Sequence, residues 1–214
     1  MKKLVYLAVA AVLFYSCGGN ENKNQTNNQV AKGNVNYGGV FKVNETEDFR
    51  SLYPLNITEV VSHRIANQVY EVLVKLDQED LSVIPGLASK WEVNEDATKF
   101  TFTLRKGVMF HDDKAFEDGK GREVKAADFK YCLDKVCETD PSNQMFWLFK
   151  DKVVGANEYY ESTVNKTPLE GGVSGIKVID DYTIEISLNY SFAGFFNILS
   201  HISCSVYPKE AFDI

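Results

Sequence analysis

The chain has 214 residues and a mass of 24.1 kDa, and 44% of its residues are hydrophobic and 25% charged. A chain of this length buries roughly 70% of the surface that it exposes when unfolded, so it can form a substantial core. The net charge of −7 and the isoelectric point near 5.1 argue against a nucleic-acid-binding protein, which presents a basic face to phosphates. The single long apolar run is too short and too terminal for a polytopic membrane protein.

The N-terminus has the features of an export signal. Two lysines precede an uncharged, mostly apolar run, 4–15, which ends at Ser16 and Cys17. A short apolar run closed by a small residue is typical of a cleaved secretory signal and not of a membrane-spanning helix. Cys17, followed by two glycines, resembles the bacterial lipobox, in which the cysteine is acylated and becomes the new N-terminus. We expect 1–16 to be a signal peptide and Cys17 a lipid anchor; the alternative is a secreted protein in which this cysteine lies near the cut by coincidence.

Residues 17–36 are predicted to form a flexible linker behind the lipidated cysteine. Seven asparagines stand among the nineteen residues from Gly18 to Asn36, with little that can be buried. Such a composition is typical of an extended tether. The folded part is expected to occupy residues 37–214.

Hydrophobic periodicity predicts alternating strands and helices in the folded part. A strand is expected at Gly38–Val43, and a helix capped by Ser62 follows. The apolar stripe predicted for this helix comprises Ile65, Ala66, Val69, Val72 and Leu73. The next segment, Val74–Asp77, is expected to be extended.

The remaining patterns indicate two hairpins and several helices. Trp91–Arg105 predicts a hairpin because Phe100, Phe102 and Leu104 alternate with polar residues, and these residues together with Trp91 are assigned to the core. Ile176–Leu188 predicts a second hairpin that turns at Asp180-Asp181. Helices are expected at Lys125–Glu138 (with Ala127, Tyr131, Leu133 and Val136 facing the core), at Ser191–Leu199 and from Pro208. The predicted fold class is mixed α/β with antiparallel hairpins.

The chemistry-bearing residues do not form a catalytic pattern. No nucleophile elbow, phosphate-binding loop, zinc-protease motif or dinucleotide fingerprint occurs, so no enzyme activity is predicted. His63 and His201 are isolated in the sequence, and the acidic loop after His111 matches no calcium motif. Buried thiols are expected, although one disulfide among the three downstream cysteines stays open: Cys132, Cys137 and Cys204.

Six short segments in a characteristic order carry a resemblance to a known family. They are Leu52-Tyr53-Pro54, Val69–Val74, Pro85–Glu92, Phe100–Asp112, Val124–Phe129 and Asp180–Leu188. This order, behind a lipoprotein signal, resembles the extracytoplasmic solute-binding proteins of peptide ABC importers, the family that contains the periplasmic oligopeptide- and dipeptide-binding proteins. Two features depart from the family. The loop Asp113–Glu123 is longer and more charged, and the chain stops before the second lobe, so it looks like an N-terminal portion.

The resemblance implies a periplasmic-binding-protein type II-like fold and a role in peptide capture. A lipid-anchored protein on the periplasmic side of a bacterial membrane, or at the cell surface, would deliver peptides to permease subunits. Separate ATPase subunits would hydrolyse ATP, and no cofactor or metal would be needed. Two alternatives stay open: a surface lipoprotein that signals or adheres without transport, and a binding protein for nickel chelates or oligosaccharides.

The resemblance also implies which residues lie near the ligand. Thr58, Glu59 and Val60 stand where a strand of the first lobe would run along an extended peptide, which is bound through main-chain hydrogen bonds. Phe146 and Trp147 are expected to form a wall of the cleft. The alternatives are a connection that caps the next helix for Thr58–Val60, and plain core packing for the two aromatic residues.

Overall fold

The computed structural model describes residues 29–30, 36–37 and 39–212. The predicted signal peptide 1–16 and the predicted lipidation site Cys17 lie outside these residues. Within the described residues, no helix combines the length and the apolar character that crossing a bilayer requires.

The chain divides into two compact units, 1–44 and 45–214. In the first unit, Gln29–Val30 (β1) pairs antiparallel with Asn36–Tyr37 (β2). This two-residue ladder lies almost entirely within the segment predicted as a linker.

The strand predicted at Gly38–Val43 is wrong for the residues that the structure describes. Gly39–Val43 has no regular secondary structure, and Val40 and Phe41 are 88% and 90% exposed. A strand gains its stability from pairing and from the burial of one face. Among the described residues, Gly39–Val43 has no strand partner.

The second unit combines short strands and helices, which confirms the predicted mixed α/β class. Its strands are Val74–Leu76 (β3), Val83–Pro85 (β4), Ala88–Val93 (β5), Lys99–Leu104 (β6), Ile176–Asp180 (β7) and Thr183–Ser187 (β8). Its α-helices are Val60–Val69 (α1), Ala126–Val136 (α2), Ala156–Val164 (α3) and Phe195–Leu199 (α4). Single 3-10 turns occur at Pro54–Asn56, Phe146–Leu148, Ile202–Cys204 and Lys209–Ala211.

Four antiparallel strands form the central sheet, in the order β5-β6-β8-β7. Both predicted hairpins are confirmed, since β5 pairs with β6 and β7 pairs with β8. Alternation along β6 buries Phe100, Phe102 and Leu104, because successive side chains of a strand point to opposite faces. Trp91, also predicted for the core, is half-buried and packs against Phe196, with ring centroids 5.7 Å apart.

Helix α2 confirms the prediction for Lys125–Glu138, and Lys125 is its N-cap residue. The helix lies against β7 and β8. Leu133 and Val136 are fully buried, as predicted, and Tyr131 is half-buried. Ala127, also predicted for the core, is exposed. The 3.6-residue repeat explains this, because the buried face begins one position earlier; its members are Ala126, Phe129, Leu133 and Val136.

Helix α1 begins before the predicted Ser62 cap. Glu59 is the N-cap residue, and Ser62 lies in the first turn with its hydroxyl donating to the Glu59 carboxylate. The helix ends at Val69, so Val72 and Leu73 are buried in non-helical chain and not on a helical stripe. A short apolar run is compatible with either a helix or an extended segment. Here Val72 and Leu73 lead directly into β3, which begins at Val74, and they are not helical.

Aromatic packing connects helix α4 to the central sheet. Within the predicted helix Ser191–Leu199, only Phe195–Leu199 is helical. The ring centroid of Phe195 lies 5.2 Å from that of Phe100 and 6.1 Å from that of Phe149. Phe195 therefore connects β6, α4 and the segment that follows the turn Phe146–Leu148.

The three downstream cysteines are free thiols in the core. Cys132, Cys137 and Cys204 are all buried, as predicted, and none of them forms a disulfide. Burial raises the pKa of the Cys204 thiol to about 12, which makes it a poor nucleophile near neutral pH. In the described part of the chain, no group of three or more His, Cys, Asp or Glu side chains is arranged to hold a metal ion.

The guanidinium of Arg122 joins two distant parts of the second unit. It donates to both carboxylate oxygens of Asp128, at 2.9 and 2.7 Å, and to both of Glu210, at 2.7 and 2.9 Å. These carboxylates raise the pKa of Arg122. Asp128 is only 6% exposed, so its carboxylate oxygens are satisfied by Arg122 and by the backbone N–H of Lys125.

We predict that Arg122→Met lowers the free energy of unfolding by about 1–3 kcal/mol. Breaking a fully buried ion pair costs about 3–5 kcal/mol, and the partial exposure of the Arg122 side chain, 35%, reduces that cost. Urea denaturation measures the change. The matched control is Arg64→Met, whose ion pair with Glu45 is exposed and should matter by less than about 0.5 kcal/mol. Equal losses in both variants would contradict the structural role of Arg122.

His201 caps the turn Ile202–Cys204. Its ring Nδ1 accepts a hydrogen bond from the backbone N–H of Ser203 at 3.2 Å. Partial burial, and secondarily the nearby His63, lower the pKa of His201 from its ordinary value of 6.5. The neutral ring is therefore the form that the fold favours, because protonation of Nδ1 would remove the acceptor.

A pH dependence of stability follows from the lowered pKa of His201. The unfolded chain takes up this proton at a higher pH than the folded chain, so the contribution of His201 is complete above about pH 6.5 and is lost as the pH falls through the folded pKa. We expect His201→Asn, which keeps a cap acceptor without titrating, to lose less stability than wild type between pH 7.5 and 5. Urea midpoints measured across this range provide the comparison. His111→Asn, at an exposed loop position, should lose as much stability as wild type over this pH range. If His201→Asn also lost as much stability as wild type, the assignment of the pH dependence to His201 would be refuted.

Candidate functional site

The residues predicted to line the ligand, Thr58, Glu59 and Val60, lead into helix α1. Glu59 has extended backbone angles and Val60 is the first helical residue, so the strand expected here is wrong and the capping connection is what forms. The Glu59 carboxylate accepts hydrogen bonds from the Ser62 hydroxyl and from the backbone N–H of Arg50 at 3.0 Å, and these bonds lower its pKa. These hydrogen bonds stabilise the entry of a helix at this position in preference to an edge strand. The side chains of Thr58 and Val60 are exposed.

Phe146 and Trp147, the predicted wall of the cleft, differ in their availability to a ligand. The ring of Phe146 stacks on Tyr160 with centroids 4.0 Å apart and planes inclined by 4°. Phe146 also packs against the core, which agrees with the alternative of plain packing. Neighbouring residues of a 3-10 turn point in different directions, and the side chain of Trp147 is turned outward, with 59% of the residue exposed.

The exposed indole stands beside two histidines that are isolated in the sequence. The ring centroid of His201 lies 6.4 Å from that of Trp147 and 5.7 Å from that of His63. Helix α1 and the turn Ile202–Cys204 are in contact, and this tertiary contact brings the histidines together. We call Trp147, His201 and His63 the ring cluster. The backbone N–H of His63 donates to the carbonyl of Glu59 at 3.1 Å, so the cluster lies one helical turn from the predicted ligand residues.

Hydrogen bonds determine which ring nitrogens carry protons. Nδ1 of His201 accepts from a backbone N–H, so the proton of the neutral ring is on Nε2. Nδ1 of His63 lies 2.8 Å from the amide nitrogen Nδ2 of Asn67, a donor, which also places the His63 proton on Nε2. The indole Nε1 of Trp147 is a donor only. Among the described residues, none of these three nitrogens has a hydrogen-bond partner.

A cleft of about 450 Å³ adjoins the ring cluster at His63. It is lined by His63, Arg64, Asn67, Gln68, Tyr70, Val72, Lys75, Leu76, Gln78, Ser200 and Ile202. Two of these residues are cations, and no carboxylate is among them. Arg64 pairs with Glu45 at 3.2 Å and Lys75 pairs with Glu71 at 2.8 Å.

This surface is equipped for noncovalent binding. It offers aromatic faces, N–H donors and amide side chains, and its volume lies in the range of small-ligand sites. Sequence reasoning missed His63, His201 and Asn67 as members of one site. No local signal could have identified the two histidines as neighbours, because they come from opposite ends of the second unit.

Comparison with known proteins identifies the family. The model of the bacterial extracellular solute-binding proteins, family 5 Middle, matches residues 82–213. The dipeptide-binding protein of Escherichia coli (strain K12) is 36% identical over 146 residues, which are 68% of this chain and 25% of that protein. The heme-binding protein A of Haemophilus influenzae is 28% identical over 215 residues, covering 100% of this chain and 37% of that protein.

A solved structure shows the same fold. The periplasmic binding protein DppA from Helicobacter pylori, in complex with the peptide STSA, superposes with a TM-score of 0.62 at 24% identity, over 78% of this chain and 30% of that one. The predicted type II-like fold is thereby confirmed. In these three comparisons, the chain spans between 25% and 37% of the length of its relatives.

The order of the six sequence segments, the sheet built from two hairpins and the family match over residues 82–213 all indicate the same family. The family consists of solute-binding proteins and not of enzymes. The chain belongs to the bacterial extracellular solute-binding proteins of family 5.

Proposed function

We propose that this chain is the N-terminal portion of the substrate-binding lipoprotein of an ABC importer. It captures peptides outside the cytoplasmic membrane and delivers them to the permease, while separate ATPase subunits supply the energy. Cys17 holds it to the membrane through lipid after residues 1–16 are removed, and the linker up to residue 36 lets the folded body stand off the bilayer.

The observation that carries this proposal is the family match over residues 82–213. The names of relatives support a peptide as the ligand, since one is named for dipeptides and a structural neighbour was solved with the peptide STSA. Another relative is named for heme, so hemin is the competing ligand that a binding test has to include.

Within the chain, Thr58, Glu59, Val60 and Trp147 are the proposed ligand contacts. The exposed entry of helix α1 lies one helical turn from His63, and the exposed indole belongs to the same ring cluster, so both can lie along one bound peptide. Main-chain hydrogen bonds would supply affinity and leave the side-chain pockets permissive. Phe146, which stacks on Tyr160, is proposed to hold the neighbouring Trp147 in position from the core side of the cleft wall.

Family members close two lobes around a ligand, and this chain spans only part of their length. One lobe contributes only part of the contacts, so we expect the chain by itself to bind short peptides with a dissociation constant on the order of 1 mM. Micromolar binding in a calorimetric titration would show that the second lobe is not needed.

We predict that Trp147→Ala weakens the binding of trialanine and of Ala-Phe about fivefold to tenfold. Loss of an aromatic face at a binding surface has effects of this size, and the exposure of the residue means that the fold is little affected. Chemical-shift titration by NMR measures the dissociation constants. Tyr190→Ala, at an aromatic residue that is 48% exposed and is not among the residues lining the cleft, is the matched control. Unchanged affinity in Trp147→Ala, or tighter binding of hemin than of either peptide by wild type, would count against the proposal.

Replacement of the anchor gives a second prediction. Cys17→Ser, expressed in a bacterial host, should lose the incorporation of labelled palmitate and move from the membrane to the soluble exported fraction, since acyl chains supply the membrane affinity. Cys132→Ser, at a buried thiol, should keep the label. Persistent labelling of Cys17→Ser would refute lipidation at this residue.

A further inference from the structure

A second cavity lies at the C-terminal end of helix α1. Val69, the last residue of the helix, and its C-cap residue Tyr70 form one side, and the segments 110–116 and 206–211 form the others. Helix α1 has ten residues and is therefore about 15 Å long, so this cavity and the entry at Thr58–Val60 lie at opposite ends of it. Of the residues that line the cavity, only Tyr70 also lines the cleft beside the ring cluster. We call it the aromatic cavity.

Aromatic rings form much of its wall. Phe110 and Phe116 stack with ring centroids 6.1 Å apart and planes inclined by 25°, and Tyr70 and Tyr207 supply two further rings. The backbone N–H of Phe116 donates to the carbonyl of Asp113 at 3.1 Å. This hydrogen bond closes the turn that brings Phe116, only 7% exposed, against Phe110.

The charges at the aromatic cavity favour a cation. Asp113 lines the cavity, and one oxygen of its exposed carboxylate accepts from the backbone N–H of Ala115 at 2.9 Å. Among the described residues no cation pairs with this carboxylate. The imidazole of His111 also lines the cavity, but no described lysine or arginine does. The segment 111–120 carries four carboxylates and only two lysines.

The neighbouring cation Arg122 does not oppose this preference. Its guanidinium lies 5.3 Å from the centroid of the Phe110 ring, and the face of an aromatic ring attracts positive charge. Arg122 is not among the residues that line the cavity. It is held by two carboxylates, those of Asp128 and Glu210, so this group of three side chains is negative as a whole.

We propose that the aromatic cavity binds a small organic ammonium ion. The rings take its apolar body, and the Asp113 carboxylate pairs with its ammonium group. An apolar cavity of roughly 150 Å³ holds benzene, so the volume of about 200 Å³ found here accommodates one aromatic ring with a short aminoalkyl arm. This second site does not depend on the proposed peptide-binding function.

The test compares three ligands of similar shape and different charge. Phenethylamine, 2-phenylethanol and 3-phenylpropanoate are titrated into the chain at low salt and pH 8, where aliphatic amines are charged and free imidazole is neutral. Chemical shifts of Phe110, Phe116 and Asp113 are followed by NMR. We expect phenethylamine to bind with a dissociation constant on the order of 1 mM. The neutral alcohol should bind about fivefold to tenfold more weakly, and the carboxylate more weakly still.

Variants locate the ammonium group and the apolar body. Asp113→Asn keeps an acceptor for Ala115 and should weaken phenethylamine about fivefold while leaving 2-phenylethanol unchanged. Asp118→Asn, the matched control, removes the same charge from the same loop at an exposed residue that does not line the cavity, and it should bind like wild type. Ala211→Leu, at an exposed lining residue, fills the cavity and should weaken both ligands.

Three results would overturn the proposal. Equal affinity for phenethylamine and 2-phenylethanol in wild type, or equal weakening in Asp113→Asn and Asp118→Asn, would rule out recognition of the cation by Asp113. Shifts confined to His63, His201 and Trp147 would place the amine in the cleft beside the ring cluster. Absence of binding by all three ligands up to about 20 mM, well above the expected dissociation constant, would exclude the aromatic cavity as a ligand site.

Discussion

The buried ring of Phe195 joins three parts of the chain that are distant in sequence. It lies 5.2 Å from the ring of Phe100 in the central sheet and 6.1 Å from that of Phe149. Trp147 lies just before Phe149, and His201 lies just beyond the helix that carries Phe195. Buried aromatic pairs combine a large apolar area with preferred geometry. The packing around Phe195 therefore holds together the segments that carry the indole and the imidazole, and the surface site is built on the core beneath it.

The site needs no reactive group, because a binding protein acts through complementarity alone. Its donors and aromatic faces lie on a chain with a net charge of −7, and no carboxylate is among the residues that line the cleft. The thiols are buried and the ion pairs of Arg122 connect elements of the fold. The proposed ligand contacts overlap with residues that hold the fold at Glu59, whose carboxylate fixes the entry of α1. His201 likewise caps a turn and also faces the cluster.

Sequence patterns identified the elements whose cause is local. The two-residue period of Phe100, Phe102 and Leu104 and the polar turns predicted both hairpins, and the main helix was placed to within two residues at either end. Predictions that relied on distant partners were wrong. Gly39–Val43 has a composition suited to a strand, but it has no strand partner among the described residues. Thr58–Val60 leads into a helix because the Glu59 carboxylate accepts hydrogen bonds from Ser62 and Arg50.

By itself the sequence determined the family, the mixed α/β class, the alternating core faces and the absence of a catalytic motif, because each depends on residue order or on short-range periodicity. Only the tertiary structure decided that Phe146 packs inward while Trp147 faces out, and that His63 and His201 are neighbours. The physical reason is that a site assembled from distant segments exists only after the core brings them together. The protonation of its rings follows from hydrogen bonds that form at the same time, one of them to the backbone.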